Sequence, residues 1–132
     1  MKTKTGPRVL VCGGRDFAER QPLWDALYRL EPSVVIEGGA RGADMLAAEW
    51  AHHTATRLLT FPALWLDEGK AAGPKRNQRM LDEGRPDLVI ACPGGRGTAD
   101  MIRRARKARV TIQHLVPVAN AQAHPTPPAE LR

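Results

Sequence analysis

The chain has 132 residues, a formal net charge of +6 and two cysteines. That length supports one domain with one core and excludes two comfortable ones, while the basic balance points to an anionic partner such as a nucleotide, a phosphorylated sugar or nucleic acid. No apolar run is long enough to span a bilayer and no basic-then-apolar start marks a secretory signal, so a cytoplasmic protein with reduced thiols and no membrane partner is expected.

After an N-terminal extension (1–7), an apolar run over 8–12 predicts a buried strand. The segment 17–30 follows as a helix with Leu23, Leu27 and Leu30 on one face, and Pro32 stops it. A second strand is predicted over 34–37 and a second helix over 42–53, with Ala43, Leu46, Ala47 and Trp50 at helical spacing. A third strand occupies 58–61. Residues 62–73 then break the rhythm as a long loop carrying Trp65, Asp67, Glu68 and Lys70, and long loops in small domains are disproportionately functional. A short helix (74–83), a strand (87–91), a helix (97–107) and a fifth strand (110–114) complete the pattern. The remainder, 115–132, holds Pro117, Pro125, Pro127 and Pro128 among alanines and polar residues, and reads as a mobile tail or an arm laid on a partner chain. Strands alternating with helices predict an α/β, Rossmann-like three-layer αβα domain over 8–114. Its sheet is expected to have five parallel strands in the order 3-2-1-4-5.

Three of the strands stop at a glycine pair with an arginine close behind: Gly13-Gly14-Arg15-Asp16, Gly38-Gly39-Ala40-Arg41-Gly42, and Gly94-Gly95-Arg96-Gly97-Thr98. Glycine lets a ligand approach backbone amides, the start of the next helix favours an anion, and a guanidinium grips a phosphate with two donors. One such junction is an ordinary tight turn, but three at equivalent strand ends describe a pocket. In an open parallel sheet the ligand lies beyond the carboxyl ends of the strands where their order reverses, here between the first and fourth strands. The loops beginning at Gly13 and Gly94 should therefore face one another. Gly94, Gly95, Gly97 and Thr98 suit a phosphate; Gly13 and Gly14 suit close approach of the sugar or flat part of a ligand; Glu37 stands where dinucleotide folds often place a ribose-binding acid.

These residues carry a resemblance. The run from Pro93 through Asp100 resembles the first eight positions of the P-G-G-x-G-T-x-x-E signature of the SLOG superfamily, which includes the lonely-guy phosphoribohydrolases. The segment Gly39-Ala40-Arg41-Gly42-Ala43-Asp44 is similar to the A-R-G-x-D segment of its DNA-processing protein A branch. Together with Cys12-Gly13-Gly14-Arg15-Asp16, Gly73-Pro74 and Arg76-Asn77 through Met80, the pattern is closest to the small YspA-type SLOG proteins, over roughly 8–114. The resemblance implies a Rossmann-like domain that binds a nucleotide or nucleotide-derived ligand. It also implies catalytic roles for Arg76 and Asp100 in cleaving the bond between base and ribose 5′-phosphate. Asn77 replaces the lysine of the phosphoribohydrolase motif, and Asp100, the acid nearest the position of its glutamate and one methylene shorter, takes that part, where a small misplacement costs about a hundredfold in rate.

Three functions are therefore weighed: a nucleotide hydrolase using Arg76 and Asp100, a non-catalytic module that senses or sequesters the nucleotide, and a single-stranded DNA-binding protein. The last rests on Arg103, Arg104, Arg106, Lys107 and Arg109, with few aromatic residues interleaved for base stacking. The ligand-binding set is Gly13, Gly14, Arg15, Asp16, Gly38, Gly39, Arg41, Gly42, Asp44, Asn77, Gly94, Gly95, Arg96, Gly97 and Thr98. No cofactor and no metal are expected, because the four histidines share no ligand spacing with the cysteines. Cys12 and Cys92 read as small residues filling tight corners, or as thiols side by side at the pocket mouth. Met80 and Met101 read as core. Trp24 and Tyr28, off the leucine face, read as ordinary surface aromatics or as part of a homo-oligomer interface.

Overall fold

Five parallel strands lie in the order β3-β2-β1-β4-β5 in a computed structural model that describes residues 5–115. They are β1 (Arg8–Cys12), β2 (Val34–Glu37), β3 (Arg57–Thr60), β4 (Leu88–Ala91) and β5 (Thr111–His114). The helices are α1 (Arg20–Leu30), α2 (Ala43–His53), α3 (Trp65–Glu68), α4 (Ala72–Asp82) and α5 (Arg96–Lys107). This is the expected Rossmann-like architecture and strand order. Residues 1–4 of the expected extension and 116–132 of the expected tail lie outside the described residues. Among the described residues no helix is long and apolar enough to cross a membrane.

The strands read as continuous apolar runs because both faces of the sheet are covered. Alternation along β1 sends Val9 and Val11 to one face, where they meet Leu23 and Leu27 of α1 and Ala47 and Trp50 of α2. Leu10 and Cys12 point to the other, against Met80 and Leu81 of α4 and Met101 and Ala105 of α5. Met80 and Met101 are thus core residues, as expected. Leu10, Leu23 and Leu27 have no exposed surface, so trimming any of them to alanine costs about 2–5 kcal/mol.

Two helix starts lie two or more residues from expectation. The first helix begins at Arg20 rather than 17, which places Pro22 in the opening turn, where its missing N–H is not needed; a start at 17 would bury it in the helix interior. Phe17 instead donates its amide to the Gly14 carbonyl at 3.2 Å and packs on the core. Helix α4 begins at Ala72, two residues earlier than expected, and Pro74 still falls in its first turn. The segment expected as a loop over 62–73 holds helical turns: α3, followed by a 3-10 turn over Gly69–Ala71. The Leu64 carbonyl accepts from the Asp67 and Glu68 amides at 3.1 and 2.8 Å.

Candidate functional site

The sheet order reverses between β1 and β4, and the loops that leave these strands meet. The Gly14 amide donates to the Pro93 carbonyl at 2.9 Å, and the Cys92 amide donates to the Cys12 carbonyl at 2.8 Å. Above them opens a cleft of about 1090 Å3. It gathers Gly13, Gly14, Arg15, Asp16, Asp44, Arg76, Asn77, Asp100 and every residue from Gly94 to Thr98. Gly38, Gly39 and Arg41 line a smaller pocket next to it, and Gly42 is buried against the Gly14 loop. Lys70, Trp65 and Arg103, absent from the expected ligand set, also border the cleft.

The glycines divide into two kinds. Gly42 adopts φ +74°, and a Cβ on it would collide with the Gly14 carbonyl oxygen. Cβ atoms at Gly13, Gly38 and Gly94 would strike Ala43 and Cys92, the Arg76 guanidinium, and the Thr98 hydroxyl respectively. These glycines let one part of the protein approach another. Gly95 and Gly97 are different: a Cβ at either meets nothing within 4 Å, and neither has a left-handed φ. They open onto the cleft at the first turn of α5, whose N-cap residue, Gly95, has no side chain to cap it.

The amides of the loop after β2 are largely spoken for. Glu37, 2% exposed, accepts from the Gly39 amide at 2.6 Å with one oxygen and from the Thr60 hydroxyl with the other. The Asp44 carboxylate accepts from the Ala40 amide at 3.2 Å. Here the protein supplies its own anions, which tie β2, β3 and α2 together. Burial pushes the Asp44 carboxyl up to about 6; Glu37 adds to the rise, while the Ala40 and Gly38 amides and the Arg76 charge oppose it.

One polar chain crosses the cleft wall from β2 to α5. Arg76 donates to the Gly38 carbonyl at 2.6 Å and through Nε to Asn77 Oδ1 at 3.1 Å. Asn77, 4% exposed, passes its own Nδ2 donors to Gly97 O at 3.2 Å and Asp100 Oδ2 at 3.0 Å. Asp100 further accepts from Arg104 Nε at 2.8 Å and Arg103 at 3.2 Å, and Arg104 continues to Gln78 at 2.9 Å. Burial alone raises the Asp100 carboxyl, but hydrogen bonds from Arg104 and Asn77 and the charges of Arg104 and Arg103 outweigh it and leave it below the usual carboxylate range. Burial lowers the Arg76 guanidinium from its ordinary value, against the pull of Asp44 and Glu37.

Cys12 and Cys92 are not paired at the cleft mouth. Both are buried, and they pack into the cores on opposite faces of the sheet. Burial first, then nearby charge, pushes both thiols up to about 12. Trp24 donates its indole N–H to the Leu46 carbonyl at 3.0 Å, and Tyr28, 48% exposed, packs edge-on against Trp50. Among the described residues no group of three or more His, Cys, Asp or Glu side chains is close enough to hold a metal ion.

The fold matches that of DNA processing protein A from Streptococcus pneumoniae, with a TM-score of 0.69 and 17% identity over 85% of this chain and 51% of that one. The likeness is one of fold, and the chain spans about half the length of that protein. Architecture and cleft together define a Rossmann-like α/β domain. The profile of the YspA, cpYpsA-related SLOG family matches residues 7–67. The Gene 61 protein of Mycobacterium phage D29 is 39% identical over 117 residues, covering 80% of this chain and 93% of that protein. The chain belongs to the YspA, cpYpsA-related SLOG family.

Proposed function

We propose that the cleft binds a nucleoside phosphate, with the phosphate against the first turn of α5 and its amides as donors. One observation carries this reading: Gly97, inside the helix, is a glycine that neither a left-handed φ nor the packing requires, and the space at Gly95 beside it is equally open. Glycine in a helix costs about 1 kcal/mol relative to alanine, so its place at Gly97 is accounted for by space left for a ligand. The free first-turn N–H groups and the positive end of the helix dipole favour an anion there. Arg96 and Arg103 flank the spot, and Arg76 has committed Nε and one terminal nitrogen, leaving the other for a ligand. Thermal unfolding against a panel of nucleoside monophosphates tests the reading: ligand at 100 times its dissociation constant adds about 2.7 kcal/mol. A panel without any shift overturns it.

Binding without turnover is the better supported form. Both oxygens of Asp100 are engaged by donors and the group stays ionised, which is poor preparation for exchanging a proton with substrate. Hydrolysis of the glycosidic bond is a second reading, favoured by the unbroken link from Arg76 through Asn77 to Asp100 along the cleft wall. Incubation of the wild type with nucleotide separates the two. Release of free base that Asp100→Asn abolishes, with binding retained, establishes hydrolysis; unconsumed nucleotide establishes binding alone.

Single-stranded DNA ranks below both, since Arg103 and Arg104 are drawn onto Asp100 and the arginine-rich end of α5 carries no aromatic residue. A steep loss of affinity with salt would restore it. A cytoplasmic homo-oligomer associating through the Trp24 and Tyr28 face completes the proposal, and sedimentation of wild type beside Tyr28→Arg tests the assembly.

A further inference from the structure

A second pocket, of about 360 Å3, adjoins the cleft. Arg15, Ala40, Trp65 and Arg76 border both, so the two form one continuous depression. Trp65 lies at their junction with 52% of its surface exposed. The other tryptophans are placed differently: Trp50 is 2% exposed in the core, and Trp24 is tied to the α2 backbone by its indole N–H. The indole of Trp65 rests against the start of α4, where a Cβ at Gly73 would stand 3.6 Å from its Cη2 atom, an ordinary packing contact. A ring steadied by a helix and otherwise left open is a platform awaiting a flat partner. The charged side chains lining the small pocket are Arg15, Arg41 and Arg76, and among the described residues no carboxylate lines it. Guanidinium groups stack on aromatic rings and donate to the acceptors on base edges.

We propose that this small pocket is a base-recognition subsite, in which the Trp65 indole stacks on the nucleobase of a ligand whose phosphate lies at α5. The inference rests on the reading of the cleft given above and narrows it. The ligand is a nucleotide with its base attached, and a bare sugar phosphate fills only part of the depression.

Titration of the full chain with AMP, GMP and ribose 5-phosphate, followed by calorimetry and by quenching of indole fluorescence, tests this for wild type, Trp65→Ala and Trp65→Phe. The nucleotides should bind more tightly than ribose 5-phosphate. Trp65→Ala should weaken them roughly 5- to 100-fold, as loss of one base stacking contact does, while ribose 5-phosphate changes by less than about twofold. Trp65→Phe keeps a flat ring, so it should recover most of the loss and guards against misreading an unfolded variant. Equal affinity of wild type for nucleotide and ribose 5-phosphate, or nucleotide affinity untouched by Trp65→Ala, overturns the base subsite and leaves the phosphate site standing. Failure of all three compounds to bind wild type removes the phosphate site, and the base subsite with it.

Discussion

Asn77 donates to Asp100 at 3.0 Å and so joins α4 to α5 across the wall of the cleft. The same side chain accepts from Arg76 and donates to the Gly97 carbonyl, so the two residues that the phosphoribohydrolase resemblance pairs communicate through the asparagine that replaces its lysine. Geometry there is a shared property of three side chains.

Asn77→Ala should therefore cost more than an ordinary polar deletion. It leaves a buried cavity and removes partners from the Arg76 Nε, the Gly97 carbonyl and Asp100, for a loss of about 1–3 kcal/mol. Urea denaturation should show a lower midpoint at unchanged slope. An unchanged midpoint would mean that water replaces the amide at no cost.

The two kinds of glycine should respond oppositely to alanine. Gly97→Ala meets no neighbour and gains helix propensity, so stability should rise by about 0.5–1 kcal/mol while affinity for a nucleoside phosphate falls. Gly42→Ala forces a side chain into a left-handed φ and against the Gly14 carbonyl, and should lose about 3 kcal/mol or more. Chemical denaturation and ligand titration of the two variants side by side decide the matter.

Two carboxyls should shape the pH dependence with opposite signs. Asp44 has a folded value of about 6 against an ordinary 3.8, so the folded state holds the proton more tightly and stability falls as pH rises from about 4 to about 6, by an amount of the order of 3 kcal/mol. Asp44→Asn should flatten that stretch of the profile. Asp100 is depressed, so its contribution is complete above the ordinary carboxylate range and disappears as pH falls through its lowered folded value. The advantage of wild type over Asp100→Asn should accordingly vanish in strong acid.

The thiols should be silent in the native protein. With both pushed up to about 12 and buried in separate cores, neither offers thiolate to a disulfide reagent at neutral pH. Denaturant should release two reactive equivalents, matching the two cysteines of the chain. Rapid labelling without denaturant would show that the strand ends open locally.

The sheet is legible in the amino-acid order because its strands are short apolar runs between helical periods, and parallel crossovers leave few arrangements for five of them. Val9, Leu10 and Val11 in succession already require cover on both faces, and the reversal point that places the cleft follows from the strand order alone. The meeting of the Gly14 and Gly94 loops needs only that topology. The start of α1 is harder to read, because apolar spacing from Phe17 competes with the constraint at Pro22. The helical turns after Pro62 leave no periodic signal, because α3 is a single turn set by its contacts with α4.

Chain order and residue type alone settled the layers, the crossover order and the glycine-rich end of the sheet, since those depend on local periodicity and backbone sterics. Folding decided which glycines serve packing and which open outward, why Asn77 stands between Arg76 and Asp100, and how Trp65 comes to border the cleft. Each of these depends on distances between atoms far apart in sequence, such as Gly38 from Arg76 or Asn77 from Asp100, and such distances exist only once the helices have docked on the sheet.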